Sequence, residues 1–544
     1  PFKDAGIQTH MLERALNGIR MTPVPADVRK LMFKVKKLQG TDIARSFCGL
    51  NDPRNIIDSI RYAREGGMIA QAAMSISYSK VHTVEYFVDL ADQLIQAGAD
   101  ELCLKDMAGV ARPAWLAEIV KQIRVKYPEI PLTYHGHAGP GFQVATILEV
   151  CRAGVDYIDV GMEPLSWGTG HADLLTVQAM LKDAGFDVPD INMNAYMKVR
   201  SLTQSYMDDF LGYFISPKNR MMNSLLIGPG LPGGMMGSLM ADLQNNLASL
   251  NKWKVKNGQP ELTEDDLLVK LFNEVEYVWP ELGFPPLVTP FSQYVKNVAL
   301  MNVIQMEKGA GRWSMIADNI WDMIVGKSGR LPGPLGAEIL ALAKKEGREV
   351  YEGHPQALYP DALDTFRKEM NDNGWDYGQD DEELFELAMH PEQYRRYKSG
   401  QAKADFEKEI AEAKAEAAKE VAGAAPQPTT MYVEVEGQKY RVNISYDGSS
   451  AASAEPQSGS PAPAASGNAE AIVSPLEGKF YFTKDSSETA IKVGDHVEKG
   501  DLLGYIEAMK TYNRISADKP GVITEVKVSN GAAVDEDDVL MMIS

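Results

Sequence analysis

Glu101-Leu102-Cys103-Leu104-Lys105-Asp106 is the stretch on which the fold of this chain turns. It is short, apolar through its middle without alternation, and ends on a lysine and an aspartate. An uninterrupted apolar run of this length suits a strand covered on both faces. Similar runs occur at 8–12, 41–47, 67–76, 132–137 and 157–161, and amphipathic stretches at 54–66, 83–97 and 112–126 lie between them. Repeated β–α units with such strands predict a parallel sheet. Their number and spacing suit a TIM barrel, whose active site lies at the C-terminal ends of the strands. The residues with chemistry fall there: Lys105-Asp106 ends one strand and His135-Gly136-His137 ends the next.

His135 and His137 stand two apart in the predicted strand, so both rings point to one side. Two imidazoles at that spacing serve a structural role or hold one metal ion. Lys105 bears on the choice, because a lysine at the inner end of a barrel strand is costly to bury unless paired or neutralised. Carbamylation is one solution: the neutral amine adds carbon dioxide and becomes an anionic metal ligand.

The 544 residues are too many for one domain. A net charge of -20 argues against nucleic acid as a partner. No stretch of about 18 uncharged apolar residues is present, so nothing spans a membrane as a helix. Cys48, Cys103 and Cys151 are isolated in apolar segments, which suits a reducing cytoplasm better than a disulfide framework or zinc cluster. From 172 to 372 the pattern is largely helical, and the methionines of the Gly- and Pro-rich loop at 223–236 read as packing. A run of Ala, Glu and Lys at 402–422 predicts a solvated helix, and 431–444 a small hairpin. Residues 449–469, mostly Ala, Ser, Pro and Gly, predict a disordered tether with a span of about 25 Å.

The C-terminal part has two hairpin-rich halves, Val493-Gly494-Asp495…Lys499-Gly500-Asp501 and Pro520-Gly521-Val522-Ile523…Asp538-Val539-Leu540. Between them stands Ile506-Glu507-Ala508-Met509-Lys510-Thr511, so a flattened β-barrel with Lys510 at a turn is expected. This resembles the biotinyl domain of biotin-dependent carboxylases. Met509 before the lysine, where lipoyl relatives carry an acid, favours biotin. The longer segment 478–488 resembles the thumb of the acetyl-CoA carboxylase carrier protein.

The barrel is similar to a second family. Cys103-Leu104-Lys105-Asp106-Met107-Ala108-Gly109 and His135-Gly136-His137 resemble the carboxyltransferase domain shared by pyruvate carboxylase, the α subunit of oxaloacetate decarboxylase and the carboxyltransferase subunit of transcarboxylase. Phe47-Cys48-Gly49-Leu50-Asn51-Asp52, Val81-His82-Thr83, Pro232-Gly233-Gly234-Met235 and Val288-Thr289-Pro290 match as well. The resemblance implies that carboxylated Lys105, His135 and His137 ligate a divalent metal such as zinc, manganese or cobalt. It also implies that Arg14 contacts a keto acid and that Thr289, otherwise a turn residue before Pro290, shuttles a proton. Departures are Cys48 in place of an aspartate, Gly136 in place of the middle threonine of H-T-H, and Met21 in place of a tyrosine, which alters the substrate end of the pocket.

The implied reaction moves a carboxyl group between N-carboxybiotin on Lys510 and a 2-oxo acid such as pyruvate or oxaloacetate. No ATP-grasp module or phosphate loop is found in the sequence. Charging of biotin then calls for a biotin carboxylase subunit, whereas the α subunit of an oxaloacetate decarboxylase sodium pump would meet membrane decarboxylase subunits. A transcarboxylase subunit is a third reading, and an inactive biotin-carrier scaffold a fourth. A biotin protein ligase would attach the cofactor, and a cytoplasmic homo-oligomer is expected. The chain divides at 1–171 (barrel), 172–400 (helical funnel and carboxylase-type extension), 401–424 (charged helix), 425–446 (hairpin), 447–469 (linker) and 470–544 (biotinyl domain). Only six strands can be counted where a closed barrel has eight, and the family's D-x-T-x-R-D motif, which supplies a fourth metal ligand, does not occur. An N-terminally truncated fragment is therefore expected, or a chain whose two missing strands come from another.

Overall fold

The computed structural model describes residues 4–215, 217–227, 236–423, 429–435, 438–444, 470–484, 488–508 and 511–544. Six parallel strands form one sheet in chain order: β1 (His10–Glu13), β2 (Ile43–Phe47), β3 (Ile69–Ser75), β4 (Glu101–Asp106), β5 (Leu132–Gly136) and β6 (Tyr157–Ile158). The helices between them are α1 (Ala26–Leu38), α2 (Pro53–Glu65), α3 (Val84–Gln96), α4 (Pro113–Lys126) and α5 (Gln143–Ala153). The result is an α/β half-barrel in which β1 and β6 are the terminal strands of the described sheet.

Alternation along each strand separates two environments. Ala70, Ala72, Leu102, Leu104 and Leu132 pack toward the helices in the main core. The other face carries Arg45, Gln71, Glu101 and Thr133. Gln71 Nε2 donates to Glu101 Oε2 at 2.7 Å and to Thr133 Oγ1 at 3.2 Å, and Arg45 Nε donates to Gln71 Oε1. Hydrogen bonding across strands satisfies a polar layer that burial would otherwise penalise. Above it a small apolar cluster of Phe47, Ala73, Cys103, Met107 and Val288 closes the interior.

Several strands are shorter than the sequence leads one to expect, and in β5 and β6 the difference falls at their C-terminal ends. β5 ends at Gly136, so His137 lies just past the sheet. It stays in line because its N–H donates to the Asp106 carbonyl at 3.1 Å. β6 ends at Ile158, after which Asp159 is drawn to Arg45 and His135, and an isolated parallel bridge pairs Gly161 with Asp173.

Beyond β6 the chain is helical: α6 (Leu174–Asp183), α7 (Met193–Asp209), α8 (Met236–Lys256), α9 (Glu264–Glu281), α10 (Phe291–Glu307), α11 (Asp318–Ile324), α12 (Ala337–Lys345), α13 (Leu363–Asn373), α14 (Glu382–Met389), α15 (Pro391–Lys398) and α16 (Gln401–Gly423). α10 is buried along most of its length against the barrel-side core. That position fixes the Val288-Thr289-Pro290 segment at its start. α16 is the charged helix, with Lys403–Glu407 and Lys408–Glu412 pairs at i,i+4 spacing. β7 (Thr429–Val435) and β8 (Gln438–Ile444) pair as a hairpin. The Pro232–Met235 match, the tether and part of the thumb segment, Asp485–Ser487, lie outside the described residues.

The C-terminal part is all β: β9 (Glu470–Val473), β10 (Gly478–Tyr481), β11 (His496–Val497), β12 (Leu502–Ala508), β13 (Thr511–Ser516), β14 (Gly521–Val526), β15 (Ala533–Val534) and β16 (Val539–Ile543). They make two four-stranded sheets, in the orders β13-β12-β10-β15 and β11-β14-β16-β9. Phe480, Val497, Leu503, Ile506, Ile523 and Leu540 fill the space between them.

Candidate active site

Register across the sheet brings the predicted rim residues level. Lys105 on β4 is opposite His135 on β5, and Ser75 on β3 is opposite Lys105. Lys105 is buried, with its Nζ 5.0 Å from the centre of the Phe47 ring. Burial lowers its pKa to about 8, and its charge in turn disfavours protonation of His135, His137 and His171. Gly109, in the loop after β4, has φ +66, and a Cβ there would lie 2.3 Å from the His137 carbonyl oxygen. Only glycine lets that loop close against the end of β5.

The two predicted histidines are joined by a third. His135, His137 and His171 place one ring nitrogen each within 4.8 Å of the others. Their ring centres are 4.7 to 5.1 Å apart, and His135 Nε2 lies 3.3 Å from His137 Nε2. On the far side of each ring Nδ1 meets an oxygen: Asp159 Oδ2 at 2.7 Å from His135, the Thr169 carbonyl at 2.5 Å from His137, and the Gly136 carbonyl from His171. Withdrawal from water lowers the pKa of all three, to about 4 for His137. Neutral imidazoles with an engaged Nδ1 are the form in which histidine binds a metal, so the cluster fits a divalent ion. Asp159 is itself held by Arg45, whose NH1 bonds to it. Desolvation opposes ionisation of Asp159, but hydrogen bonds from His135 and Arg45 outweigh it and hold the carboxyl well below the usual range.

A second polar centre lies beside the first. Arg14, Phe47, Cys48, Asn55, Thr289 and Phe291 line one small pocket, and Phe47 is the ring over which Lys105 sits. Arg14 donates through NH1 to the Ile19 carbonyl at 3.3 Å, while its Nε is buried without a partner. The Cys48 thiol is pushed up to about 11 by burial and accepts weak bonds from Leu50 N and Asn55 Nδ2, each at 3.4 Å. Met21, in contrast, is exposed and does not line this pocket.

Lys510 and Met509 lie outside the described residues. The strands on either side are paired, Ala508 opposite Thr511, and Thr511 Oγ1 donates to the Ala508 carbonyl at 2.8 Å. Arg14, Lys105, His135, His137 and Thr289 are thus gathered at the barrel mouth. Sequence reasoning missed His171, Arg45 and Asp159. Asp159 falls inside the predicted strand at 157–161, just past the observed β6, and His171 follows Gly168-Thr169-Gly170 in the loop after that strand, which is the signal that was there to use.

Comparison with known proteins agrees along most of the chain. Residues 52–203 match the HMGL-like family, 229–444 the conserved carboxylase domain, and 470–543 the biotin-requiring enzyme family. A pyruvate carboxylase subunit of Methanocaldococcus jannaschii is 30% identical over 510 residues, covering 92% of this chain and 80% of that protein. The 2-oxoglutarate carboxylase large subunit of Hydrogenobacter thermophilus is 26% identical over 569 residues, covering 94% and 80%. The solved carboxyl transferase domain of Rhizobium etli pyruvate carboxylase with pyruvate and biocytin shares the fold, with a TM-score of 0.60 at 24% identity. That likeness covers 73% of this chain and 66% of that structure.

Proposed function

The chain belongs to the biotin-dependent carboxyltransferases, the family of the Methanocaldococcus jannaschii pyruvate carboxylase subunit, and from that premise we propose that it moves a carboxyl group between biotin on Lys510 and a 2-oxo acid such as pyruvate or oxaloacetate. The observation that carries this reading is the pocket holding Arg14 and Thr289 together beside the rim where Lys105 and His135 end their strands. Arg14 takes the substrate carboxylate, since a buried guanidinium N–H without a partner is stabilised by an anion. Thr289 both donates and accepts through Oγ1, so it can pass a proton at the substrate methyl without becoming an ion. Cys48 stays a neutral thiol at neutral pH and shapes the pocket rather than acting as a base. Phe47 and Phe291 line the same space and limit water in it.

Biotin, when attached, supplies the carboxyl group. A divalent ion held by His135, His137 and carboxylated Lys105 supplies, when bound, Lewis acidity toward the keto oxygen. Burial of Lys105 favours the neutral amine to which carbon dioxide adds. A separate biotin carboxylase subunit would charge the biotin, a biotin protein ligase would attach it, and a cytoplasmic homo-oligomer is the working assembly. Among the described residues no helix is long and apolar enough to cross a membrane, so membrane decarboxylase partners would have to supply their own spans.

Oxaloacetate decarboxylation by the biotinylated chain tests this reading. Avidin should block the reaction, and Lys510→Ala should lack it. Equal rates with and without avidin would contradict the proposal.

A further inference from the structure

We propose that His171 is a third imidazole ligand, so that the divalent ion is held through Nε2 of His135, His137 and His171. The inference rests on the metal centre of the proposed function and extends it to a residue outside the motifs that brought that centre to notice.

The first argument is the protonation pattern. A carbonyl or carboxylate oxygen can only accept, so an imidazole nitrogen facing one must carry the hydrogen. His137 Nδ1 faces the Thr169 carbonyl and His171 Nδ1 the Gly136 carbonyl. His135 Nδ1 is 2.7 Å from Asp159 Oδ2; Arg45 NH1 is also near it, at 3.2 Å, but is bonded to the same carboxylate. In the neutral rings all three Nε2 atoms are then bare lone pairs. Those of His135 and His137 stand 3.3 Å apart, and two lone pairs at that distance repel unless a cation lies between them. The separation matches such an ion: nitrogens about 2.0–2.1 Å from a tetrahedral centre are about 3.3 Å from each other.

The second argument is how firmly His171 is placed. Its loop folds back so that Gly161 bridges Asp173, and Trp167 N donates to the His171 carbonyl at 2.7 Å. The Ala138 N–H donates to Gly170 O at 2.8 Å, and the Ala172 N–H to Gln143 Oε1 at 2.6 Å. Gln143 Nε2 in turn holds the Gly136 carbonyl, at the end of the strand that carries His135. Gly168 makes the loop possible, because with φ +53 a Cβ there would meet Asn219 O at 2.1 Å. One loop therefore supplies His171 and, through Thr169 O, orients His137. Such outer bonds to ligating histidines are what a metal centre needs to fix its geometry.

Three imidazole nitrogens beside carboxylated Lys105 select a metal. Imidazole suits zinc better than manganese, which prefers carboxylate and water. The centre should therefore take zinc or cobalt ahead of manganese.

The test is metal binding by the full chain, separate from activity. X-ray absorption of the zinc-loaded wild type should show three imidazoles, and His171→Ala should keep less than about a tenth of the wild-type zinc. His171→Gln guards against misfolding: its metal-free melting temperature should equal that of the metal-free wild type while its zinc is lost. Two imidazoles in the wild type, or full zinc in either variant, would overturn the assignment. Carboxyl transfer by a fully loaded His171→Ala would sink this inference and leave the proposed function standing. A three-imidazole zinc centre without carboxyl transfer would do the reverse.

Discussion

The imidazole cluster and the Arg14 pocket are two polar centres at one barrel mouth, and they leave opposite kinds of atom unsatisfied. In the cluster every Nδ1 has an oxygen, and lone pairs on Nε2 face inward. Arg14, which lines the pocket, has a buried Nε–H without an acceptor. The first arrangement invites a cation and the second an anion. In the proposed reaction a 2-oxo acid would span both, with its keto oxygen toward the ion and its carboxylate toward the guanidinium. The contrast shows how one fold can bind and polarise a small substrate with few contacts: each centre is completed by its neighbours except on the side where the ligand goes.

Several substitutions would break or sharpen that contrast. Thr289 lines the pocket without belonging to either unsatisfied set. Thr289→Ala should lower kcat by about 10²–10⁴, the usual worth of a positioned proton carrier, with metal content unchanged by elemental analysis. A nearly normal kcat would remove Thr289 from the reaction. Asp159→Asn replaces one acceptor oxygen of the cluster by a donating amide and leaves Arg45 buried without its anion. Metal affinity, titrated with a chelating dye, should fall about 10- to 100-fold, and unchanged affinity would show that the Asp159–His135 bond does not orient the ring. Arg14→Gln should raise KM for the 2-oxo acid about 10- to 100-fold, the equivalent of about 1.5–3 kcal/mol for a charge-assisted bond. An equal fall in kcat with KM unchanged would place Arg14 elsewhere in the mechanism.

The smallest effect lies away from both centres. His82 is buried beside Phe87 and Trp279, and burial lowers its pKa to about 4. The unfolded chain takes up this proton near pH 6.5 and the native one only near 4, so the unfolded state binds more protons between those values. Stability should fall as pH drops through that window, by about 1 kcal/mol per pH unit from this residue. Denaturant melts of wild type and His82→Gln should show a shallower acid slope in the variant, and identical slopes would contradict the account.

The two centres also differ in how far they could be read from sequence. Lys105 and His135 were legible because each ends an apolar strand of a parallel sheet, where barrel chemistry collects. Arg14 and Thr289 were reached through family resemblance alone, since an arginine after a strand or a threonine before a proline has no signature of its own. Their meeting in one pocket depends on α10 packing 275 positions downstream of Arg14, counting to Thr289, which no local pattern encodes. His171 escaped for a related reason. It reaches the cluster through a loop held by Gln143, Ala138 and Gly168, and loop conformation is set by such tertiary bonds rather than by periodicity. The carrier part is the opposite case, because the paired strands β12 and β13 are neighbours in sequence and the lysine stands between them in the chain.

The measurement that bears most directly on the central claim is isotope exchange between ¹⁴C-labelled pyruvate and oxaloacetate, followed in biotinylated wild type and in Lys510→Ala. The account predicts exchange in the wild type, none in the variant, and partial recovery when free biotin is added to the variant, because the barrel mouth rather than the carrier performs the chemistry. Exchange that survives Lys510→Ala without added biotin would contradict it.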